Sequence, residues 1–179
     1  MDESLAWLHQ AVADRLAAER EFIFAAAAAT PVWCHAIAKC QQAVEKSVKA
    51  IVAALIAARR WRGPPIGFVH EVGRHMGTLV RLPRSSEFPL LRRHLLRLFD
   101  PNTRSTIEAL ECLIPKAPPP GQPLRRNTEY PYHDATGGFT YPAEPSIFSR
   151  TEIERFRALS SRLTDSARKI VAMLRRSGS

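Results

Sequence analysis

Apolar residues recur at intervals of three and four along most of the chain, which is the spacing of amphipathic helices. The first such segment, residues 3–28, carries Leu5, Leu8, Val12 and Leu16 on one predicted face. No segment alternates apolar and polar residues well enough to indicate a strand. The pattern predicts an all-α bundle of about five to six helices.

The predicted helix boundaries come from capping residues, prolines and glycines. Thr30 and Pro31 have the pattern of an N-cap followed by proline at the first helical position, which opens the second helix. This helix carries an apolar stripe to about Ala58, before Gly63-Pro64-Pro65. The last helix opens at a capping box, either Ser149 with Glu152 or Thr151 with Glu154. Shorter helices are predicted over residues 68–81, 89–99 and 103–114.

A long irregular connection, residues 115–148, is predicted within a single domain that spans 1–179. Its first part, "PKAPPPGQPL", contains too many prolines for a helix and is expected to run extended. Connections of this length in a compact domain are usually either functional or disordered. Aromatic residues favour an ordered segment here, and the connection contains Tyr130, Tyr132, Phe139 and Tyr141.

The charge balance indicates an anionic partner. The net charge of +9 and the isoelectric point near 10.2 favour nucleic acid first, although many basic proteins bind nothing anionic. Arg92, Arg93 and Arg97 share the predicted helix 89–99. This run fits a solvated helix face, and it equally fits a surface that follows a phosphate backbone.

Cysteines and apolar runs bear on cellular context. Cys34, Cys40 and Cys112 lack the paired spacing of a zinc site, so we expect reduced core residues and no metal. The N-terminal "MDESLAW" is acidic, and the longest apolar run is interrupted at Pro31. These features predict a cytoplasmic protein with no membrane partner.

The second predicted helix carries a polar run that resembles a known family. The run Gln41-Gln42-Ala43-Val44-Glu45-Lys46-Ser47-Val48-Lys49-Ala50 resembles the signature of HEPN domains (higher eukaryotes and prokaryotes nucleotide-binding). The preceding tryptophan, His70 and a tyrosine-proline pair before the final helix are similar to that family as well. The resemblance implies a helical bundle that forms a homodimer, with RNA or a nucleotide as ligand.

Many HEPN proteins carry an arginine, four to six further residues and a histidine. Here six residues separate Arg126 from His133, and Asn127 follows the arginine. The resemblance implies metal-independent RNA cleavage of a toxin or defence type, without a cofactor, at a cleft where two copies of the motif meet. The other partner that it implies is an antitoxin or a nucleotidyltransferase.

RNA cleavage without a metal needs a group that moves protons and a fixed cation at the phosphate. Histidine suits proton transfer because its unperturbed pKa is about 6.5, and arginine offers the phosphate a rigid fork of donors. His133 and Arg126 are therefore the catalytic candidates, and Asn127 could orient either of them. Stacking of a tyrosine on a base contributes roughly 1–3 kcal/mol. The candidate RNA- or nucleotide-binding residues are Arg125, Tyr130 and Tyr132.

Two alternatives stay open at the level of sequence. An arginine and a histidine at this spacing also occur by chance, which leaves a non-catalytic nucleotide-binding or interaction module that partners a nucleotidyltransferase. On the second helix, Glu45 and Lys49 are predicted to form a surface or interface ion pair of about 0.2–0.5 kcal/mol, with a polar site as the alternative. Gln41 and Gln42 are expected to be packing residues rather than ligands.

Overall fold

A computed structural model describes residues 2–66, 72–81, 89–114, 127–128, 132–133, 139–144 and 147–176, and these ranges contain six helices. The all-α prediction is confirmed. A two-residue antiparallel pairing, β1 (Tyr132–His133) with β2 (Phe139–Thr140), was not predicted, because two residues are too few to show alternation. The helices are α1 (Glu3–Ala27), α2 (Cys34–Ala57), α3 (Gly73–Val80), α4 (Pro89–Leu98), α5 (Pro101–Glu111) and α6 (Arg150–Arg176).

The central element is α2, which packs against both α1 and α6. Every residue from 47 to 55 of α2 is buried, so this part of the helix is covered on all sides. The shorter helices α3, α4 and α5 pack around the same core, where Phe99, Ile107 and Leu110 are nearly inaccessible. Any polar side chain on this stretch of α2 must therefore find its partner inside the protein.

Two predicted helix starts are wrong for identifiable reasons. Helix α2 begins at Cys34 rather than Pro31, and its N-cap Trp33 packs its ring 6.3 Å from the ring of Phe22. Packing of the turn onto α1 thus overrides the Thr30–Pro31 signal. Helix α5 begins at Pro101 rather than residue 103, because the Asp100 side chain caps it through the Thr103 amide at 2.9 Å.

The capping box predicted at Ser149 and Glu152 is confirmed. The Glu152 amide donates to Ser149 Oγ at 3.2 Å, and the Ser149 amide donates to Glu152 Oε2 at 2.9 Å. These reciprocal bonds satisfy backbone donors at the start of α6 and fix where the long connection ends.

The buried face of α1 agrees only in part with the predicted one. Leu8 is buried as predicted, but Leu16 is 46% exposed, and the other buried apolar residues are three alanines and Phe22. Small alanine side chains on the inner face of α1 allow close packing against α2. The larger apolar residues of α1 are therefore divided between this inner face and an outward one. The outward face exposes Ile23 at 65% and Phe24 at 71%.

The cysteine prediction holds for two of the three residues. Cys34 and Cys40 are buried, and burial raises the pKa of the Cys40 thiol to about 12. Cys112 is exposed rather than buried, because it is the C-cap of α5 and lies off the face that Ile107 and Leu110 bury.

Candidate functional site

The predicted site residues are only partly covered by the structure. Arg125, Arg126 and Tyr130 lie outside the described residues, as does any approach of Arg126 to the His133 side chain. The backbone of Tyr132 and His133 forms β1, in which Tyr132 pairs with Thr140 and His133 pairs with Phe139 in the backbone register. Asn127 is described, and it is only 2% exposed.

Asn127 and Thr128 are anchored where α2 meets the end of α5. The Thr128 amide donates to the Leu113 carbonyl at 3.2 Å, and Thr128 Oγ1 donates to Gln41 Oε1 at 3.2 Å. The other end of the Gln41 side chain donates to the Leu110 carbonyl at 2.7 Å. Gln41 thus joins α5 to the segment that contains Asn127, and its role in packing agrees with the sequence-based expectation.

A small cavity lies beside this anchor. It is lined by apolar residues of α2 and α5, by Val72 and Ile114, and by Gln41, Glu45 and Glu111, and its volume is about 10 Å³. That is the space of about one water molecule. The cavity is therefore too small to hold a nucleotide in this conformation.

The predicted Glu45–Lys49 pair exists but is buried, which corrects the surface interpretation. Lys49 Nζ lies 2.6 Å from Glu45 Oε1, and both residues are at most 5% exposed. The same ammonium group lies 4.8 Å from the ring centroid of Trp7 on α1. The pair belongs to the α1–α2 interface, where the small energies of exposed helix pairs do not apply.

Lys46 provides a second charged contact between these helices. Its Nζ lies 2.5 Å from Asp14 Oδ2, and Asp14 is buried on α1. Lys39 approaches the other oxygen of Asp14 at 3.8 Å and donates to Gln42 Oε1 at 2.9 Å. The polar run of α2 therefore holds elements of the fold together, which opposes the alternative of an open polar site.

The basic run of α4 is at least partly solvated. Arg93 and Arg97 are exposed, whereas Arg92 is partly buried. This arrangement fits the predicted solvated helix face and equally leaves it accessible to an anionic partner.

Comparison of the chain with protein-family models, with curated proteins and with solved structures found no match. In the described ranges, no group of three or more histidine, cysteine, aspartate or glutamate side chains could hold a metal ion. Of the helices in this part of the chain, none has both the length and the apolar character needed to cross a membrane.

Two arrangements of side chains were not predicted from the sequence. One is the link from Gln41 to Thr128, which joins residues 87 positions apart. The other is a pair of α6 arginines, Arg155 and Arg162, that bond to hydroxyl groups of α5. Their spacing of seven residues is visible in the sequence, but only the fold shows that these two arginines bond to hydroxyl groups.

Proposed function

We propose that this protein is a HEPN-type, metal-independent endoribonuclease of a toxin or defence type. The observation that supports this most is the bond between Gln41 and Thr128. Gln41 belongs to the α2 run that resembles the HEPN signature, and Thr128 lies between Arg126 and His133 of the motif. The two stretches of sequence that suggested the family therefore meet in the fold.

In this proposal the RNA 2′-hydroxyl attacks the adjacent phosphorus. His133 of one copy accepts the hydroxyl proton, and the same residue of a second copy donates a proton to the departing 5′-oxygen. Arg126 stabilises the negative charge that develops on the phosphorus oxygens. The products are a 2′,3′-cyclic phosphate and a 5′-hydroxyl, so atoms and protons balance without a metal.

The burial of Asn127 refines its proposed role. A side chain that is 2% exposed is poorly placed to touch RNA, so Asn127 is better suited to holding the segment between Arg126 and Thr128. Arg125, Tyr130 and Tyr132 remain the proposed RNA-binding residues. Because one residue of the motif is buried, a non-catalytic nucleotide-binding module that partners a nucleotidyltransferase is the second candidate.

A second copy of the chain is the proposed partner at the outer face of α1. Leu16 and Phe24 each lie four residues from Arg20, so an antiparallel copy related by a two-fold axis near Arg20 would match them to each other. Glu21 follows directly and can offset the charge of the facing arginine. The exposure of Leu16, Ile23 and Phe24 supports this surface.

The test is incubation of the purified protein with labelled RNA in EDTA. We expect cleavage with 2′,3′-cyclic phosphate ends, and His133→Ala should lower the rate by about 10²–10⁴-fold, the usual contribution of proton transfer by a side chain. Arg126→Lys should also be severe, because a point charge does not replace a bidentate fork. His94→Ala on α4 is the matched control and should cleave normally.

The outcomes separate the two candidates. Cleavage by His133→Ala at the wild-type rate, with the fold intact by circular dichroism, would exclude the proposed mechanism. Binding of RNA or a nucleotide without any cleavage would favour the non-catalytic module instead.

A further inference from the structure

Six of the seven arginines of α6, all except Arg176, fall into two groups according to the side chains that they contact. In the first group the contact is with a carboxylate. Arg157 bonds to Glu19 of α1 through both carboxylate oxygens, and Arg175 lies 2.9 Å from Asp2. Arg150 pairs with Glu154 at 2.9 Å, and Arg168 lies 3.9 Å from Asp165.

The second group consists of Arg155 and Arg162, which bond to hydroxyl groups of α5. Arg155 Nε donates to Thr106 Oγ1 at 2.6 Å, and its Nη2 lies 3.5 Å from Ser105 Oγ. Arg162 Nη2 donates to Thr103 Oγ1 at 2.5 Å. A hydroxyl is neutral, so these bonds fix the direction of each guanidinium without removing its charge.

The two threonines are themselves oriented by bonds within α5 and its cap. Thr106 Oγ1 donates to the Asn102 carbonyl at 2.8 Å, and Thr103 Oγ1 donates to Asp100 Oδ2 at 3.1 Å. Because each hydroxyl proton is already used, its oxygen lone pairs are left to accept from the arginine. Asp100 also lies 4.0 Å from Arg162 Nη1, about as far as Asp165 lies from Arg168, so the bond to Thr103 and not the lack of a carboxylate distinguishes Arg162.

We propose that this arginine ledge, formed by Arg155 and Arg162 with Thr103 and Thr106, binds the phosphate backbone of RNA. Residues seven apart on a helix share one face, about 10.5 Å apart along the axis. Both arginines are exposed, and each keeps donors free of the threonine bond for an incoming phosphate. Their side chains are already ordered, which lowers the entropic cost of binding.

The chemistry of the ledge indicates sequence-independent binding. Its exposed groups are guanidinium donors, which match phosphate oxygens and carry little information about base identity. The assignment of RNA as the bound polyanion rests on the proposed function. The ledge itself makes no use of Arg126 or His133 and does not require the protein to be catalytic.

The test compares two double variants that remove the same charge from the same helix. Arg155→Gln/Arg162→Gln removes the ledge arginines, and Arg150→Gln/Arg168→Gln removes two that face carboxylates. RNA binding is measured by anisotropy with a short unstructured RNA over a series of salt concentrations. The His133→Ala background keeps the RNA intact during the titration.

We expect the ledge variant to lose about tenfold or more in affinity at physiological salt. Its slope of log affinity against log salt should also fall by about 1.4, which corresponds to two phosphates of a single strand. The control variant should keep both values close to those of the parent. Arg155→Lys/Arg162→Lys should retain the slope, because it retains the charge.

Equal losses in the two double variants would show that only net charge matters and would overturn the ledge. Unchanged binding by the ledge variant, or absence of RNA binding by the parent at every salt concentration, would overturn it as well. Failure of the proposed function is seen separately. If the protein binds RNA through the ledge but never cleaves it, the ledge is supported and the ribonuclease proposal is wrong. If the protein cleaves RNA but the ledge variant binds as the parent does, the ribonuclease proposal is supported and the ledge is wrong.

Discussion

The two longest helices, α1 and α6, flank α2 but differ on both of their faces. With 25 and 27 residues they are similar in length. The inner face of α1 is rich in alanine, whereas that of α6 carries large residues such as Leu163 and Ile170. Outward, α1 exposes Ile23 and Phe24, whereas α6 exposes arginines. The same fold therefore presents one surface suited to an apolar partner and one suited to an anion.

The contacts of α2 with the two helices also differ in chemistry. Towards α1 they involve charges, with Lys46 bound to Asp14 and the Glu45–Lys49 pair beneath Trp7. Towards α6 the buried polar contact is neutral, between Ser47 and Thr164 at 3.1 Å. Buried charges at the interface with α1 are costly to disturb, because removal of one partner leaves the other charge buried.

The largest expected effect is on the charged side of α2. Lys49→Met should lower the free energy of unfolding by about 3–5 kcal/mol, because it leaves the Glu45 carboxylate buried without its lysine. Thr164→Val removes a neutral partner and should cost about 1–3 kcal/mol. Urea unfolding of both variants measures the difference.

A double variant sharpens this prediction. Glu45→Leu/Lys49→Met removes both charges and should recover most of the stability that Lys49→Met loses. If Thr164→Val proves as costly as Lys49→Met, the contrast between the two interfaces of α2 is wrong.

The outer faces give the second prediction. Phe24→Lys on α1 should weaken self-association by on the order of 100-fold, because a two-fold interface loses the burial of two phenylalanines. Stability should change by less than about 0.5 kcal/mol, since Phe24 is exposed in the monomer. Light scattering over a concentration series measures the association.

Its matched control adds the same charge to the other helix. Ala172→Lys places a lysine at an exposed position of α6 and should leave association unchanged. If the wild-type protein stays monomeric at high micromolar concentration, the outer face of α1 is not a dimer surface.

The smallest effect concerns the helix caps. Asp2 caps α1, and the hydrogen bond from the Ser4 hydroxyl, followed by that from the Leu5 amide, lowers the pKa of the Asp2 carboxyl below 3.8. A lowered folded-state pKa stabilises the fold above pH 3.8, and this contribution is lost as the pH falls through the folded value. Helix α6 starts instead at the neutral cap Ser149.

Asp2→Ala should therefore cost about 1 kcal/mol or less at pH 7, and the difference from wild type should shrink on acidification through the folded pKa. Asp2→Asn keeps a capping oxygen but no carboxylate, so it should lose less and show less of this pH dependence. Thermal unfolding at several pH values measures both. A constant difference for Asp2→Ala across that range would exclude the carboxylate as the stabilising group.

The helical elements could be predicted because apolar spacing and capping signals are local. The bounds of α1 and α4 agree with the sequence within about a residue, and the Ser149–Glu152 box was visible directly. The start of α2 was not, because the packing of Trp33 on Phe22 decides it. Local sequence signals fail to predict a helix boundary where a tertiary contact determines it.

Burial and site assembly were harder to predict. Spacing alone gave the Glu45–Lys49 pair, but its burial depends on α1, which the spacing does not describe. The link from Gln41 to Thr128 spans 87 residues and leaves no periodic trace in the sequence. Arg126 and His133 remain candidates from sequence, because Arg126 and the His133 side chain lie outside the described residues.

The contact between Ser47 and Thr164 has a consequence for biosynthesis. These residues are 117 positions apart, so a ribosome that adds about 5–20 residues per second completes the second partner roughly 6–23 s after the first. During that interval α1 and α2 can already pair as a local hairpin, while the side of α2 that α6 will cover stays exposed. The nascent chain therefore passes through a stage with an uncovered apolar surface before α6 emerges.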